Sequence, residues 1–195
     1  HQDPASRTMS ELGASIEDCD RLIRAFEALL PIARVESHAA GVELEPTDLS
    51  AIVAEMAEFY EPVAEDAGIA LTLYVEPSCS VRGSPALLRN LLANLIDNAL
   101  KYGVDGQGGV ELGVRSEEDG VVRLTVRDHG PGVPVNDRER LTDRFVRLDR
   151  SRSKPGAGLG LSMVKASVSH HSGRLSLEDA DPGLRVCVRF PRIIA

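Results

Sequence analysis

The stretch Asn90-Leu91-Leu92-Ala93-Asn94-Leu95-Ile96-Asp97-Asn98-Ala99-Leu100-Lys101-Tyr102 governs the reading of this chain. Asn94 and Asn98 are four residues apart, so on a helix both amides project from one face, with Lys101 and Tyr102 in the next turn. Buried helix faces rarely carry paired Asn, because each amide needs partners for two donors and an acceptor. An Asn carbonyl is a neutral oxygen ligand suited to Mg²⁺, and Lys101 supplies positive charge for a phosphate. The same spacing also fits an ordinary amphipathic helix with two exposed amides.

Just upstream, Ser84-Pro85 pairs a hydroxyl cap with Pro at the first helical position, so the Asn helix is expected over 85–102. Before that, Thr47-Asp48 caps a helix running to about Asp66, with Leu49, Ile52, Val53, Met56 and Tyr60 on one face. Strands are expected over 69–75 and 81–83. Downstream, residues 110–115 and 121–127 flank Glu117-Glu118-Asp119-Gly120 and read as a hairpin. Residues 133–160 are loop-rich, 161–172 are helical, and 174–177 with 184–190 form a closing strand pair. Helices and antiparallel strands in this order imply an α+β fold of two layers.

Two further clusters carry chemistry. Asp128-His129-Gly130-Pro131-Gly132 follows an apolar strand. Its glycines let the backbone approach a ligand, and its Asp can accept a hydrogen bond from a ligand amino group; a plain turn closed by an Asx bond fits as well. Gly156-Ala157-Gly158-Leu159-Gly160-Leu161 leads into the helix that carries Met163 and Val164. Glycines at alternate positions expose backbone N–H groups, and the helix N-terminus adds positive dipole, a combination that cradles phosphate. The run lacks the leading strand and spacing of a dinucleotide fingerprint, and the Gly-Lys-Ser/Thr of a Walker loop. Residues 138–154 hold seven bases against three acids, which suits a polyanionic ligand or a solvated loop.

The 195 residues carry a net charge of −8, a poor basis for sequence-independent nucleic-acid binding, which depends on Lys and Arg against phosphate. Ten acids and four bases fall in residues 1–50, so the excess is concentrated there and two regions are expected. In the first, Met9, Leu12, Ile16, Cys19, Ile23, Phe26, Leu30 and Ala33 alternate steps of three and four, the seam of a long coiled-coil-like helix weakened near Pro31. Such a stripe needs a partner helix. The expected organisation is a helix over 1–40, a linker over 41–46 and a domain over 47–195. Cys19, Cys79 and Cys187 are too dispersed for a zinc site or disulfide framework and are expected to be buried thiols. No apolar run approaches the roughly 18 residues of a membrane span, so a soluble, cytoplasmic chain is expected.

In sequence order, the Asn-pair helix, the strand ending in DHGPG, RFVRLDRSRS (residues 144–153) and GAGLGLSMVK (residues 156–165) resemble the ATP-binding domain shared by sensor histidine kinases, DNA gyrase and heat-shock chaperones. The wording is most similar to the histidine kinases and covers about residues 45–192. The seam helix resembles the second helix of their dimerisation hairpin. The resemblance implies a Bergerat-type fold, a mixed sheet covered by helices, and transfer of the ATP γ-phosphoryl group to a His outside this fragment, then to a response-regulator receiver domain. It implies that Asn98 coordinates Mg²⁺ bridging the phosphates, Asn94 supports the phosphate end, Lys101 contacts phosphate and Tyr102 lines the nucleoside. Asp128 would accept the adenine amino group, with Gly130, Gly132 and Val133 shaping that pocket. Phe145 would anchor a lid, and Gly156, Gly158, Leu159, Gly160 and Leu161 would hold phosphates through their backbone. ATP or ADP, Mg²⁺ and a second copy in a homodimer are the implied partners, with no nucleic acid and no membrane contact by this fragment, although the parent could be an inner-membrane sensor.

Three departures stand out. None of His1, His38, His129, His170 and His171 is followed by the acid and Arg-Thr-Pro of a phosphoacceptor helix. Ser84 replaces the Asp common at the helix start and is expected to cap in its place. Gly183 is followed by Leu184 where the family commonly has Thr, so no hydroxyl is supplied there. An alternative reading is a degenerate kinase that binds nucleotide as a regulatory module. A hydrolytic ATPase of the gyrase or chaperone type would need an acid at the position of Asn94.

Overall fold

Strand β1 (Glu45–Asp48) runs directly into helix α1 (Leu49–Asp66) in the computed structural model, which describes residues 43–103, 108–146 and 158–193. The turn between them is made by Asp48, whose Oδ1 accepts from the N–H groups of Ser50 (2.9 Å) and Ala51 (3.4 Å), two donors that have no partner within the helix. The expected seam helix and Cys19 lie outside the described residues. The linker expected over 41–46 is corrected at its end: Glu45 and Pro46 belong to β1, which pairs antiparallel with β3 (Ser80–Gly83). Four residues reading Glu-Pro-Thr-Asp carry no periodicity; only the partner strand makes them a strand.

The main sheet has five strands in the order β2 (Leu71–Val75), β4 (Val110–Glu117), β5 (Val121–Arg127), β7 (Leu184–Pro191), β6 (Arg174–Asp179). β2 runs parallel to β4 and every other pairing is antiparallel, so the sheet is mixed. Alternation sends Leu112, Val114, Leu124, Val126, Val186, Val188 and Phe190 to one face, where they pack with α1, α2 (Pro85–Tyr102) and α4 (Gly160–His170) in one core. The opposite face carries Arg and Glu: Glu117 lies 3.5 Å from Arg123 and 3.2 Å from Arg189, and Glu111 lies 3.3 Å from Arg127. One apolar and one charged face give two layers. A short helix α3 (Val135–Arg138) and a 3₁₀ turn (Arg140–Thr142) follow the Asp128 loop. Cys79 and Cys187 are buried free thiols, Cys187 lying 3.2 Å from Arg123 Nη2. Among the described residues, no helix is long and apolar enough to cross a membrane.

Ser84 stands at the N-cap of α2, but the expected hydroxyl cap is absent: its side chain makes no cap hydrogen bond. Its backbone N–H instead donates to Nε2 of His171, 3.0 Å away and beyond the end of α4. The N-terminus of the Asn helix is therefore tied by a residue 87 positions downstream.

The cap on α1 is a local interaction and its loss has a local cost. Asp48→Ala is expected to lower stability by about 1 kcal/mol with an unchanged m-value, measured by urea unfolding.

Candidate functional site

Helix α2 presents Asn94 and Asn98 toward the first residue of α4. A Cβ on Gly160 would lie 3.2 Å from Asn94 Oδ1 and 3.4 Å from Asn98 Nδ2, so the missing side chain lets the two elements meet. Asn94 Nδ2 donates to the Asn90 carbonyl (2.8 Å), which turns its own carbonyl toward Gly160. Asn98 is half-buried, and its amide has no hydrogen-bond partner among the described residues. The first bond within α4 runs from Met163 N–H to the Leu159 carbonyl (3.0 Å), so the N–H groups of Gly160, Leu161 and Ser162 precede it. Leu159 is buried at the N-cap, and Leu161 packs against the core. A positive helix end and an unengaged amide thus share one surface.

The Asp128 loop packs against the C-terminal end of α2. Gly103, which ends that helix, lies against Asp128, since a Cβ there would meet the Asp128 Cβ at 2.8 Å. Asp128 Oδ1 accepts from the N–H groups of Gly130 (2.9 Å) and Leu184 (3.2 Å), while Asp128 N–H donates to the Leu184 carbonyl (3.0 Å). Burial pushes the Asp128 carboxyl above its usual range, and the two backbone donors partly offset this. Its Oδ2 has no partner among the described residues. Gly130 and Gly132 line the same loop: a Cβ on Gly130 would meet the Tyr102 carbonyl oxygen at 2.5 Å, and one on Gly132 would meet the Gly183 carbonyl oxygen at 3.1 Å. The loop, the end of α2 and the start of β7 therefore form one close-packed corner.

The remaining expected residues divide. The Lys101 ammonium lies 5.0 Å from the centre of the Tyr102 ring. The Val133 carbonyl accepts from Arg138 Nε (2.8 Å), and that Arg also reaches Asp179 (2.7 Å), which ties the Val133 turn to β6. Phe145 is 57% exposed at a left-handed φ of 63°, and its N–H donates to the Gly158 carbonyl (2.9 Å), so residues 145 and 158 meet. Gly156 and much of the basic segment lie outside the described residues. His129 turns away from the Asp128 carboxylate, its Nδ1 2.8 Å from the Gly109 carbonyl and its Nε2 3.3 Å from Glu111.

Three supporting residues escaped the sequence reading. Leu184 acts through its backbone, which residue identity does not reveal. Gly183 has φ +102° and a Cβ there would overlap the Asp128 carbonyl oxygen; Asp-Pro-Gly signals only a turn. His171 touches α2 only after folding.

Residues 83–194 match the family described as histidine kinase-, DNA gyrase B-, and HSP90-like ATPase. The chain is similar to the sensor histidine kinase CusS of Escherichia coli strain K12, 32% identical over 193 residues covering 95% of this chain and 39% of that protein. It is also similar to the signal transduction histidine-protein kinase/phosphatase MprB of Mycolicibacterium paratuberculosis, 37% identical over 145 residues covering 74% of this chain and 27% of that protein. The chain thus spans two fifths or less of the length of these relatives. Among solved structures, full-length ShkA in complex with AMPPNP superimposes with a TM-score of 0.76 at 29% identity, over 96% of this chain and 39% of that one. The catalytic domain of histidine kinase ThkA superimposes with a TM-score of 0.68 at 20% identity, over 77% of this chain and 97% of that one, a likeness of fold.

The Asp128 corner leaves no room for a methyl group opposite Asp128. Gly183→Ala is expected to destabilise the domain by on the order of 3 kcal/mol, because both the backbone overlap and the positive φ oppose it. Urea unfolding checks this, and a stability equal to that of the parent would contradict the packing described.

Proposed function

The chain belongs to the family of histidine kinase-, DNA gyrase B- and HSP90-like ATPases, and from that membership we propose that it is the ATP-binding catalytic domain of a two-component sensor histidine kinase. The observation that supports this most is the meeting of Gly160 with Asn94 and Asn98. It sets helix-terminal N–H groups, which favour anions, beside a neutral oxygen donor, which favours a hydrated divalent cation.

The residues fit Mg-ATP at both ends. The Asn98 carbonyl would hold Mg²⁺, and the ion would supply charge neutralisation across the phosphate oxygens. The N–H groups of Gly160, Leu161 and Ser162 would receive the phosphates, supported by Asn94, with Lys101 adding a positive charge nearby. Asp128 Oδ1 is already engaged by Gly130 and Leu184, so Oδ2 would accept the adenine amino hydrogen. Those backbone contacts pin the carboxylate without a hydroxyl at position 184. Gly130, Gly132 and Val133 would border the base and Tyr102 the nucleoside, while Phe145 and Gly158 would hold the base of a lid. Catalysis would then rest on positioning and charge, as phosphoryl transfer requires.

The acceptor would be a His on a dimerisation helix outside this sequence. His171 is 3% exposed with both ring nitrogens engaged, and His129 is held between Gly109 and Glu111, which leaves neither poised to attack. Residues 1–40 would form the second helix of the hairpin, pairing with a second copy and placing the domain beside the acceptor; a receiver-domain Asp would take the phosphoryl group onward, on the cytoplasmic side of a membrane-bound parent.

Mixing this chain with γ-labelled ATP and a separate hairpin helix carrying a phosphoacceptor His is expected to label that His. Nucleotide binding with no transfer would instead support a regulatory module. By calorimetry, Asn98→Asp and Asp128→Ala are each expected to weaken Mg-nucleotide binding at least about tenfold, the first by placing a charge among phosphates and the second by removing the adenine acceptor. Unchanged affinity in both variants would overturn the site.

A further inference from the structure

Helices α2 and α4 lie antiparallel and are fastened at both ends. At one end Gly160 meets Asn94 and Asn98; at the other His171 meets Ser84. Ser84 to Asn94 spans about 15 Å of helix and Gly160 to His171 about 16.5 Å at 1.5 Å per residue, so the two fastenings stand in register. Between them the Ser167 hydroxyl donates to the Leu87 carbonyl (3.4 Å).

His171 is the more demanding fastening. Its Nε2 accepts from Ser84 N–H at 3.0 Å, and its Nδ1 lies 2.6 Å from the Ser167 carbonyl, to which it must donate. One nitrogen accepting while the other donates is possible only in the neutral ring with its proton on Nδ1. The ring has no freedom to find other partners. It lies edge-on to Phe190 (5.9 Å between centres) and His170 (5.5 Å), and a Cβ on Gly83 would meet its Cδ2 at 2.9 Å. The groups facing it are Gly83 of β3, Ser84 at the start of α2, Ser167 and His170 of α4, and Phe190 of β7; of these only His170 has an ionisable side chain.

We propose that His171 is a positioning residue for the nucleotide site: its neutral ring clamps the start of α2 to the end of α4, and protonation releases the clamp and loosens the meeting of Asn94 and Asn98 with Gly160 at the other end. This rests on the nucleotide reading of that site. A protonated ring presents N–H to N–H at Ser84, so the buried donor loses its acceptor. Burial foremost, and the neighbouring His170, hold the His171 pKa below the usual His value despite the opposing effect of the Ser167 bond. The clamp's contribution is therefore complete above the ordinary His range and is lost as pH falls through that range toward the lower folded value.

The test is calorimetric binding of Mg²⁺ with a non-hydrolysable ATP analogue at pH 7.5 and at the lowest pH at which circular dichroism still shows the fold, since burial moves protonation of the folded ring below the usual His range. His171→Gln keeps an acceptor and a donor but does not titrate, while His171→Phe keeps the shape alone. The parent is expected to lose about tenfold more affinity between the two pH values than His171→Gln, which cancels the titration of the nucleotide itself. His171→Phe is expected to bind about tenfold more weakly at pH 7.5; if it does not fold, the Gln comparison decides. Equal pH dependence in parent and His171→Gln overturns the clamp while leaving the nucleotide site standing. A parent that binds no nucleotide at pH 7.5 overturns the nucleotide reading and the clamp with it.

Discussion

The proposed phosphate site depends on how closely α4 approaches α2. The proposed phosphate end of the site has two ingredients from distant sequence, the Asn94–Asn98 face and the N–H groups at Gly160 onward, and neither would suffice alone. An Asn pair is half-satisfied without a ligand, and a helix N-terminus is a weak anion site without a cation or side chain beside it. They combine because residue 160 has no Cβ: a methyl there would sit 3.2 Å from Asn94 Oδ1. The antiparallel pairing extends that contact into a rigid arrangement, with Ser167 and His171 continuing it to the far end of both helices.

The proposed adenine end is built by a different device, backbone crowding. Asp128, the end of α2 and the start of β7 lie so close that Gly103, Gly130 and Gly183 each occupy a position where a Cβ would press on a neighbour. The hydrogen bonds of Leu184 and Gly130 to Oδ1 leave one oxygen of the carboxylate for a ligand. The backbone N–H of Leu184, common to any amino acid but Pro, holds the acid in place where the sequence supplies no hydroxyl. Both ends border α2, one at Asn94 and Asn98 and the other at Tyr102 and Gly103.

The fold was legible in the sequence wherever one element carried its own signal. Asp48 and Ser84-Pro85 marked the starts of α1 and α2, and Asp-Gly marked the β4–β5 turn. β1 was not legible, because Glu45–Asp48 is a strand only through its pairing with β3. Ser84 misled as well: its residue type suits a cap, but its hydroxyl makes no cap hydrogen bond, and its link to the rest of the fold is the backbone N–H donated to His171. In the candidate site, the sequence singled out Asn94, Asn98, Asp128 and Gly160 by residue type and spacing, and the structure sets Gly160 against the two Asn side chains. Leu184, Gly183 and His171 were not legible, since they act through a backbone amide, an absent methyl and a tertiary contact.

The central claim is that the Asn pair and the start of α4 form one phosphate site, with Asp128 as the adenine acceptor at its other end. The most direct measurement is a crystal structure of this chain with Mg²⁺ and a non-hydrolysable ATP analogue. The account predicts phosphate oxygens within hydrogen-bond distance of the N–H groups of Gly160–Ser162, the metal on Asn98 Oδ1, and the adenine amino group on Asp128 Oδ2. A nucleotide bound elsewhere, or one whose phosphates point away from α4 with Asn98 unligated, would contradict it.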